Sequence, residues 1–176
     1  MLVSMRSLMI TVVLAAAACV DEPTRAAPPP PPPPGEQGLL AVITVDNMTA
    51  RPGQTVRVSV EVRAGAGAPR VGSYTGRLRF HPAQLQYQSE IEISDGMRVS
   101  NPAGATAGEI RFAGANATGF TNLALYTAKF TVRGPDYVAG LALQMDEMSA
   151  ARSLTSLSAQ LRTVPQVQLA APPRPQ

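Results

Sequence analysis

Residues 56–63 are Val56-Arg57-Val58-Ser59-Val60-Glu61-Val62-Arg63, in which valine alternates strictly with polar and charged residues. Successive side chains of a β-strand point to opposite faces, so this period of two predicts a strand with one buried side and one solvent-facing side. We therefore expect Val56, Val58, Val60 and Val62 in a hydrophobic core.

The same alternation recurs along the chain on both sides of this stretch. Leu78, Phe80, Tyr126 and Phe130 fall on the apolar side of their segments and are predicted to point inward. The pattern predicts strands, in chain order, at residues 39–45, 56–63, 73–80, 85–93, 109–112, 124–132, 138–145 and 164–169. The last of these is expected at a sheet edge, because Pro165 has no backbone donor.

Turn signals separate the predicted strands. A short helix is expected only within residues 149–161, and no segment repeats at a fixed period. The signals are Arg51-Pro52-Gly53, Ala64 to Pro69, His81-Pro82, Asp95-Gly96, Asn101-Pro102 and Gly134-Pro135. Many short strands between such turns predict an all-β fold, an antiparallel β-sandwich.

Four motifs in this order resemble the cohesin domain family between about Leu39 and Met148. The motifs are Val42 to Val45 followed by Arg51-Pro52-Gly53-Gln54-Thr55-Val56; Tyr74 to Phe80 followed by His81-Pro82-Ala83-Gln84-Leu85; Ile110 to Ala115; and Leu123 to Val132. The resemblance implies a jelly-roll, cohesin-like sandwich, which we expect to span residues 39–169. It also implies a non-catalytic module that binds a protein partner such as a dockerin.

The resemblance further implies that the partner binds on an exposed sheet face that includes the strand before His81-Pro82. The outward residues of that strand, and hence the predicted partner-binding residues, are Ser73, Thr75, Arg77 and Arg79. Family members often carry Asn, Asp and Asp where this chain has Ser73, Thr75 and His81. A more basic face would favour an acidic or anionic partner, whereas the alternative is that the two arginines only keep an exposed face soluble.

The N-terminal segment predicts export and lipidation. Arg6 precedes a short apolar run and four alanines, which end at Cys19, the only cysteine. This pattern predicts a lipoprotein signal peptide at residues 1–18, with lipidated Cys19 as the membrane contact. Ala16 stands where such signals usually carry leucine, so an ordinary signal peptide and a secreted chain remain the alternative. The apolar run is too short to span a membrane.

A proline-rich linker is predicted at residues 19–38. It contains the unbroken run Pro28 to Pro34, which favours a stiff polyproline II spacer between anchor and domain. Val20 after the cysteine favours a cell-envelope location at the outer membrane, if the organism has one. Residues 170–176 are predicted to be a disordered tail.

The residue inventory argues against catalysis. His81 is the only histidine, and its turn context predicts a surface residue rather than a catalytic or metal-binding one. Asp146-Glu147 is expected in a solvated turn. We therefore predict no enzyme activity, no metal site and no cofactor. The formal net charge of +3 on 176 residues is a weak basis for nucleic-acid binding, and none is predicted.

Two other functions remain open at the sequence level. A carbohydrate-binding module would need exposed, coplanar aromatic rings for a polysaccharide. The chain has no tryptophan, and Phe120 and Tyr137 are the aromatics expected near the surface. A structural subunit of an envelope complex is the second alternative.

Overall fold

The computed structural model describes residues 38–170. The predicted signal peptide at 1–18, Cys19, the linker up to residue 37 and tail residues 171–176 lie outside this part. The described strands are β1 (Leu39–Val45), β2 (Thr55–Ala64), β3 (Val71–Arg79), β4 (Leu85–Glu90), β5 (Met97–Asn101), β6 (Glu109–Ala115), β7 (Ala124–Val132), β8 (Ala142–Ala150), β9 (Leu161–Thr163) and β10 (Gln168–Leu169). A 3-10 helix spans Pro102–Ala107. No helix within residues 38–170 is long and apolar enough to cross a membrane.

The strands form two sheets that enclose one core. One sheet has the order β10-β1-β2-β7-β4, with β9 also paired to β1, and the other has the order β5-β6-β3-β8. Neighbouring strands are antiparallel except where β1 pairs with β9 and β10. The predicted all-β, antiparallel, jelly-roll sandwich is therefore confirmed.

The core is built from the alternating residues that the sequence indicates. Val56, Val58 and Val60 are completely buried, and Val62, Leu78, Phe80, Tyr126 and Phe130 are buried as well. Phe80 packs edge-on against Phe130, with ring centroids 5.1 Å apart. These inward-pointing predictions are confirmed.

On the inner side of the four-stranded sheet, aromatic rings lie over glycines of the adjacent strand. Tyr74 on β3 pairs with Gly114 on β6, and Gly76 on β3 pairs with Phe112 on β6. A Cβ atom added to Gly114 would lie 2.5 Å from the Tyr74 ring, and one added to Gly76 would lie 2.7 Å from the Phe112 ring. Glycine is needed at both positions because each ring occupies the space that a side chain would take.

Several predicted boundaries were wrong. The strand predicted at 138–145 begins only at Ala142, because residues 135–140 form turns around the buried Tyr137. The strand predicted at 85–93 ends at Glu90. The segment 149–161 contains no helix, because β8 continues to Ala150 and a bridge joins Ser149 to Ser156. Strand β5 was not predicted at all.

The two loop aromatics expected near the surface are buried. Tyr137 donates a hydrogen bond to the Asn47 carbonyl oxygen and accepts one from the Ala50 amide at 3.2 Å. Phe120 packs against Tyr74, with ring centroids 5.2 Å apart. Both rings have about 3% or less of their surface exposed and fill the sandwich from its loops.

Candidate functional site

The solvent-facing side of the β5-β6-β3-β8 sheet is the candidate site, and we call it the outer face. The pairing of β6 with β3 and β5, and of β8 with β3, shows which residues share this face. Its residues are Met97, Val99 and Asn101 on β5; Glu109, Arg111, Ala113 and Ala115 on β6; Ser73, Thr75, Arg77 and Arg79 on β3; and Ala142, Gln144, Asp146 and Glu147 on β8.

The four sequence-predicted partner-binding residues lie together on this face. They follow one another along β3, which is flanked by β6 and β8 and is not an edge strand. Ser73, Thr75 and Arg77 are half-buried between neighbouring strands, and Arg79 is exposed. Their placement agrees with the predicted face, and their role in partner binding stays a prediction.

The arginines of the outer face pair with acidic residues of the same sheet, so the face is less basic than β3 alone predicts. Arg77 Nε lies 2.9 Å from Asp146 Oδ2, so the acidic residue expected in a turn instead sits in a bulge of β8 and pairs with β3. Glu109 accepts hydrogen bonds from Arg79 at 3.2 Å and from Arg111 at 3.0 Å. The Arg111 and Arg79 guanidinium groups hold the pKa of Glu109 below its usual value. These arginines are largely compensated within the sheet.

The half of the outer face away from these ion pairs is apolar. Met97 has 67% of its surface exposed and Val99 has 58%, and they stand beside Ala113 and Ala115. Together with Ser73, Thr75 and Glu147 they line a shallow trough of about 210 Å³. Its floor is made of small residues, and Glu147, which forms no ion pair with any described residue, stands at its rim.

A second hollow of about 300 Å³ adjoins the trough. The two share Thr75, Val99 and Ala113, while the second adds Arg77 and Arg111. The outer face therefore offers a continuous, slightly concave surface that changes from apolar to charged along the strands. Such a surface suits an extended contact with a macromolecule better than the enclosure of a small molecule.

The position of β5 is fixed from the inner side by Arg98. Its guanidinium donates to the Tyr74 hydroxyl at 3.1 Å, to the Asn122 carbonyl at 2.9 Å and to the carbonyls of Ile93 and Asp95. It also lies 4.6 Å from the centroid of the Phe120 ring. This network holds the apolar half of the outer face in place.

The loop before β5 is held by the Asp95 carboxylate. It accepts hydrogen bonds from the backbone amides of Thr121 and Asn122, both at 2.7 Å. Hydrogen bonding by the Asn122 and Thr121 amides keeps the pKa of Asp95 below its usual value of 3.8. Asp95 therefore acts as a structural carboxylate.

The described residues contain little that suits catalysis. The pKa values of Glu109 and Asp95 are lowered, whereas the general acid of a sugar hydrolase needs a raised one. His81 is exposed in its turn, where Nδ1 accepts a hydrogen bond from the Ala83 amide. No group of three metal-ligating side chains occurs within residues 38–170.

The aromatic residues do not form a platform for a sugar. All eight lie in the described part of the chain, and only Tyr87 is partly exposed. A planar strip of solvent-facing rings is therefore absent from residues 38–170.

Sequence reasoning missed Met97, Val99 and Glu147. Two of them lie on β5, which follows the turn signal Asp95-Gly96 and ends at the signal Asn101-Pro102, where the 3-10 helix begins. The alternation Met97-Arg98-Val99-Ser100 was the available signal. It would have placed the apolar side chains in the core, whereas here they face solvent and Arg98 points inward.

A family model described as the cohesin domain matches residues 41–140, more than half of the chain. A comparison with curated protein sequences gives no match.

Solved structures with the same fold are cohesins as well. A non-cellulosomal cohesin from the hyperthermophilic archaeon Archaeoglobus fulgidus superposes with a TM-score of 0.55 at 17% identity, over 78% of this chain and 93% of that one. The sixth cohesin of scaffoldin B from Acetivibrio cellulolyticus, solved with a mutant Cel5 dockerin, gives 0.55 at 14% identity, over 74% and 99%. A cohesin–dockerin complex from Clostridium thermocellum gives 0.52 at 12% identity, over 76% and 99%. At these identities the likeness concerns the fold.

Proposed function

The chain belongs to the cohesin domain family, and on that premise we propose that it is a non-catalytic module that captures a protein partner on its outer face. The partner is dockerin-like in the sense that it presents a folded surface to a sheet. Solved relatives were crystallised with dockerins, which supports this class of partner. The outer face carries the proposal, because it is the concave surface on which exposed Met97 and Val99 adjoin a floor of small residues.

The chemistry of the face suggests what the partner offers. An apolar side chain fits the trough between Val99, Ala113 and Thr75, and Glu147 at the rim suits a basic neighbour of that side chain. The ion pairs of Arg77 and Arg79 leave the charged half able to contact either sign of charge. Desolvated apolar contact contributes affinity, and the charged half contributes orientation.

A substitution in the centre of the face tests this function. Thr75→Arg places a long cation across the trough, so we expect capture to weaken at least tenfold, which is about 1.4 kcal/mol. Thr131→Arg is the matched control, because Thr131 is an equally half-buried threonine on the solvent side of the other sheet. Affinity is measured by surface plasmon resonance, with recombinant dockerins and with a protein recovered by pull-down from the source organism.

The outcomes separate the candidate functions. Binding that is retained by Thr131→Arg and lost by Thr75→Arg supports capture on the outer face. A partner bound equally by both variants contradicts this location. Binding to a polysaccharide array with no protein partner would instead favour the carbohydrate-binding alternative.

We also propose that lipidated Cys19 anchors the chain at the cell envelope and that residues 19–38 hold the domain away from the membrane. The support is the sequence pattern alone. In the source organism, Cys19→Ala should move the protein from the membrane fraction to the soluble fraction. A Cys19→Ala protein that still sediments with membranes would contradict lipid anchoring.

A further inference from the structure

Strand β5 is an unusual edge. Within the described residues, the sandwich has free edges at β4, β5 and β8 and at the short strands β9 and β10. Edges are commonly protected by bulges, by exposed charges or by shortness. The pairing of β8 with β3 is interrupted by a bulge next to Asp146 and Glu147, and that of β4 with β7 by one between Tyr87 and Ser89. By contrast, β5 pairs continuously with β6 over five residues without a bulge.

The side chains of β5 do not protect its edge either. Met97 and Val99 are exposed and apolar. Arg98, the only charged residue of the strand, is turned inward and bonded to its own domain, and Ser100 donates to Glu90. Apart from the ladder with β6, no backbone group of residues 97–101 bonds to the backbone of another described residue. Among the described residues, one row of donors and acceptors of β5 is therefore open to another strand.

We propose that this edge pairs with β5 of a second copy of the chain, in an antiparallel arrangement about a two-fold axis perpendicular to the sheet. Opposed residues of antiparallel strands point to the same side of the sheet. The allowed registers are therefore those that place outward residues opposite outward residues and inward residues opposite inward residues. The register centred on Val99 pairs all five residues. It places Val99 opposite Val99, Met97 opposite Asn101 and Arg98 opposite Ser100.

A second copy suits this edge for electrostatic and apolar reasons. No like charges are opposed in the register, because Arg98 faces the neutral Ser100. The exposed Met97 and Val99 of one copy meet those of the other and form one apolar strip. Pairing of five-residue strands buries less than the roughly 1,200 Å² of a typical stable interface, so association is weak and depends on concentration. The paired sheet places both outer faces on the same side.

Cysteine substitutions test the register directly, in the full chain with Cys19→Ser as background. Opposed Cα atoms lie about 4.5–5.5 Å apart in antiparallel pairs, which is within disulfide range. Val99→Cys should therefore cross-link with itself on mild oxidation. Met97→Cys and Asn101→Cys should not do so alone but should cross-link when mixed. Non-reducing electrophoresis reads out each result, and equal cross-linking by all three single variants would overturn the register.

Sedimentation equilibrium tests the association without any cross-link. Val99→Lys places two cations opposite each other and should weaken dimerisation at least tenfold. Leu154→Lys is the control, because Leu154 is an aliphatic residue that is 74% exposed outside β5. A wild-type chain that stays monomeric up to millimolar concentration would overturn the proposal. Dimerisation that is weakened equally by both variants would overturn it as well. Neither experiment needs the captured partner, so its result is independent of the proposed function.

Discussion

The two faces of the β5-β6-β3-β8 sheet are built from the same strands but differ in how completely their space is filled. On the inner face, the Tyr74 ring lies over Gly114 and the Phe112 ring over Gly76, so no room is left for a Cβ atom. On the outer face, Ala113 and Thr75 leave a trough, and Met97 and Val99 stand in solvent. The side chains of the inner face are fully packed within the domain, whereas the outer face has apolar side chains that another molecule can contact.

This difference predicts that substitutions on the inner face change stability and that those on the outer face change binding. Chemical denaturation measures the stability of each variant, and affinity is measured on the same preparations.

The largest effect is expected for Phe112→Ala. Phe112 is buried and stacks on Tyr126, with ring centroids 5.3 Å apart. Removing the ring leaves a cavity, and the free energy of unfolding should fall by roughly 3–5 kcal/mol. Val99→Ala on the outer face should stay within about 0.5 kcal/mol of wild type. Similar losses for both variants would mean that the two faces do not differ as described.

Gly114→Ala should have the next largest effect. Its new methyl group would lie 2.5 Å from a Tyr74 ring that cannot easily move, because the Tyr74 hydroxyl donates to the Leu125 carbonyl at 2.7 Å. Overpacking of this kind costs roughly 1–3 kcal/mol. Ala113→Ser, the adjacent substitution on the outer face, is the control and should be nearly neutral. A fully stable Gly114→Ala protein would show that the ring has room to shift.

A smaller and pH-dependent effect is expected for Asp95→Asn, which weakens the loop before β5. The pKa of Asp95 is lowered in the folded protein. Its contribution to stability is therefore present above pH 3.8 and is lost as the pH falls through the folded pKa. The difference in melting temperature between wild type and variant should be constant from pH 7 to pH 5 and shrink below pH 3.8. A difference that stays constant down to pH 2 would contradict this role.

The smallest effect is expected for Arg77→Gln on the outer face. The ion pair with Asp146 is about 30% exposed at both side chains, so solvent screens it. Removing such a pair costs roughly 0.2–1 kcal/mol, and the loss should vanish in 1 M salt. A loss that persists in high salt would indicate that Arg77 also contributes by packing.

The sequence predicts the sandwich well because alternation is a local signal with a direct physical cause. Val56 to Val62 and Phe130 show which side of each strand is buried, and both predictions were correct. The resemblance to cohesins also led to β3 as the strand that carries the predicted site. The inference about burial needs only one strand at a time, whereas the resemblance rests on the order of four motifs along the chain.

The remaining features depend on contacts between distant segments. The pairing of Arg77 with Asp146 joins residues 69 positions apart, so the neutrality of the outer face was not visible in β3 alone. Strand β5 inverts the usual pattern, because Arg98 finds its partners in the loops around Ile93 and Asn122. Tyr137 and Phe120 were misplaced for the same reason, since loop aromatics become buried only when the sandwich is closed around them.

The parallel pairing of β1 with β9 and β10 has a consequence for how the domain folds during synthesis. Leu39, the first residue of β1, pairs with Leu161, and Val45 at the other end of β1 pairs with Leu169. During translation, β1 has β2 on one side long before the strands for its other side exist. Contacts so far apart in sequence form slowly. We therefore expect nascent chains that stop before Leu161 to leave the second edge of β1 unpaired and accessible to chaperones. The sheet should close only after residues 161–169 have been synthesised.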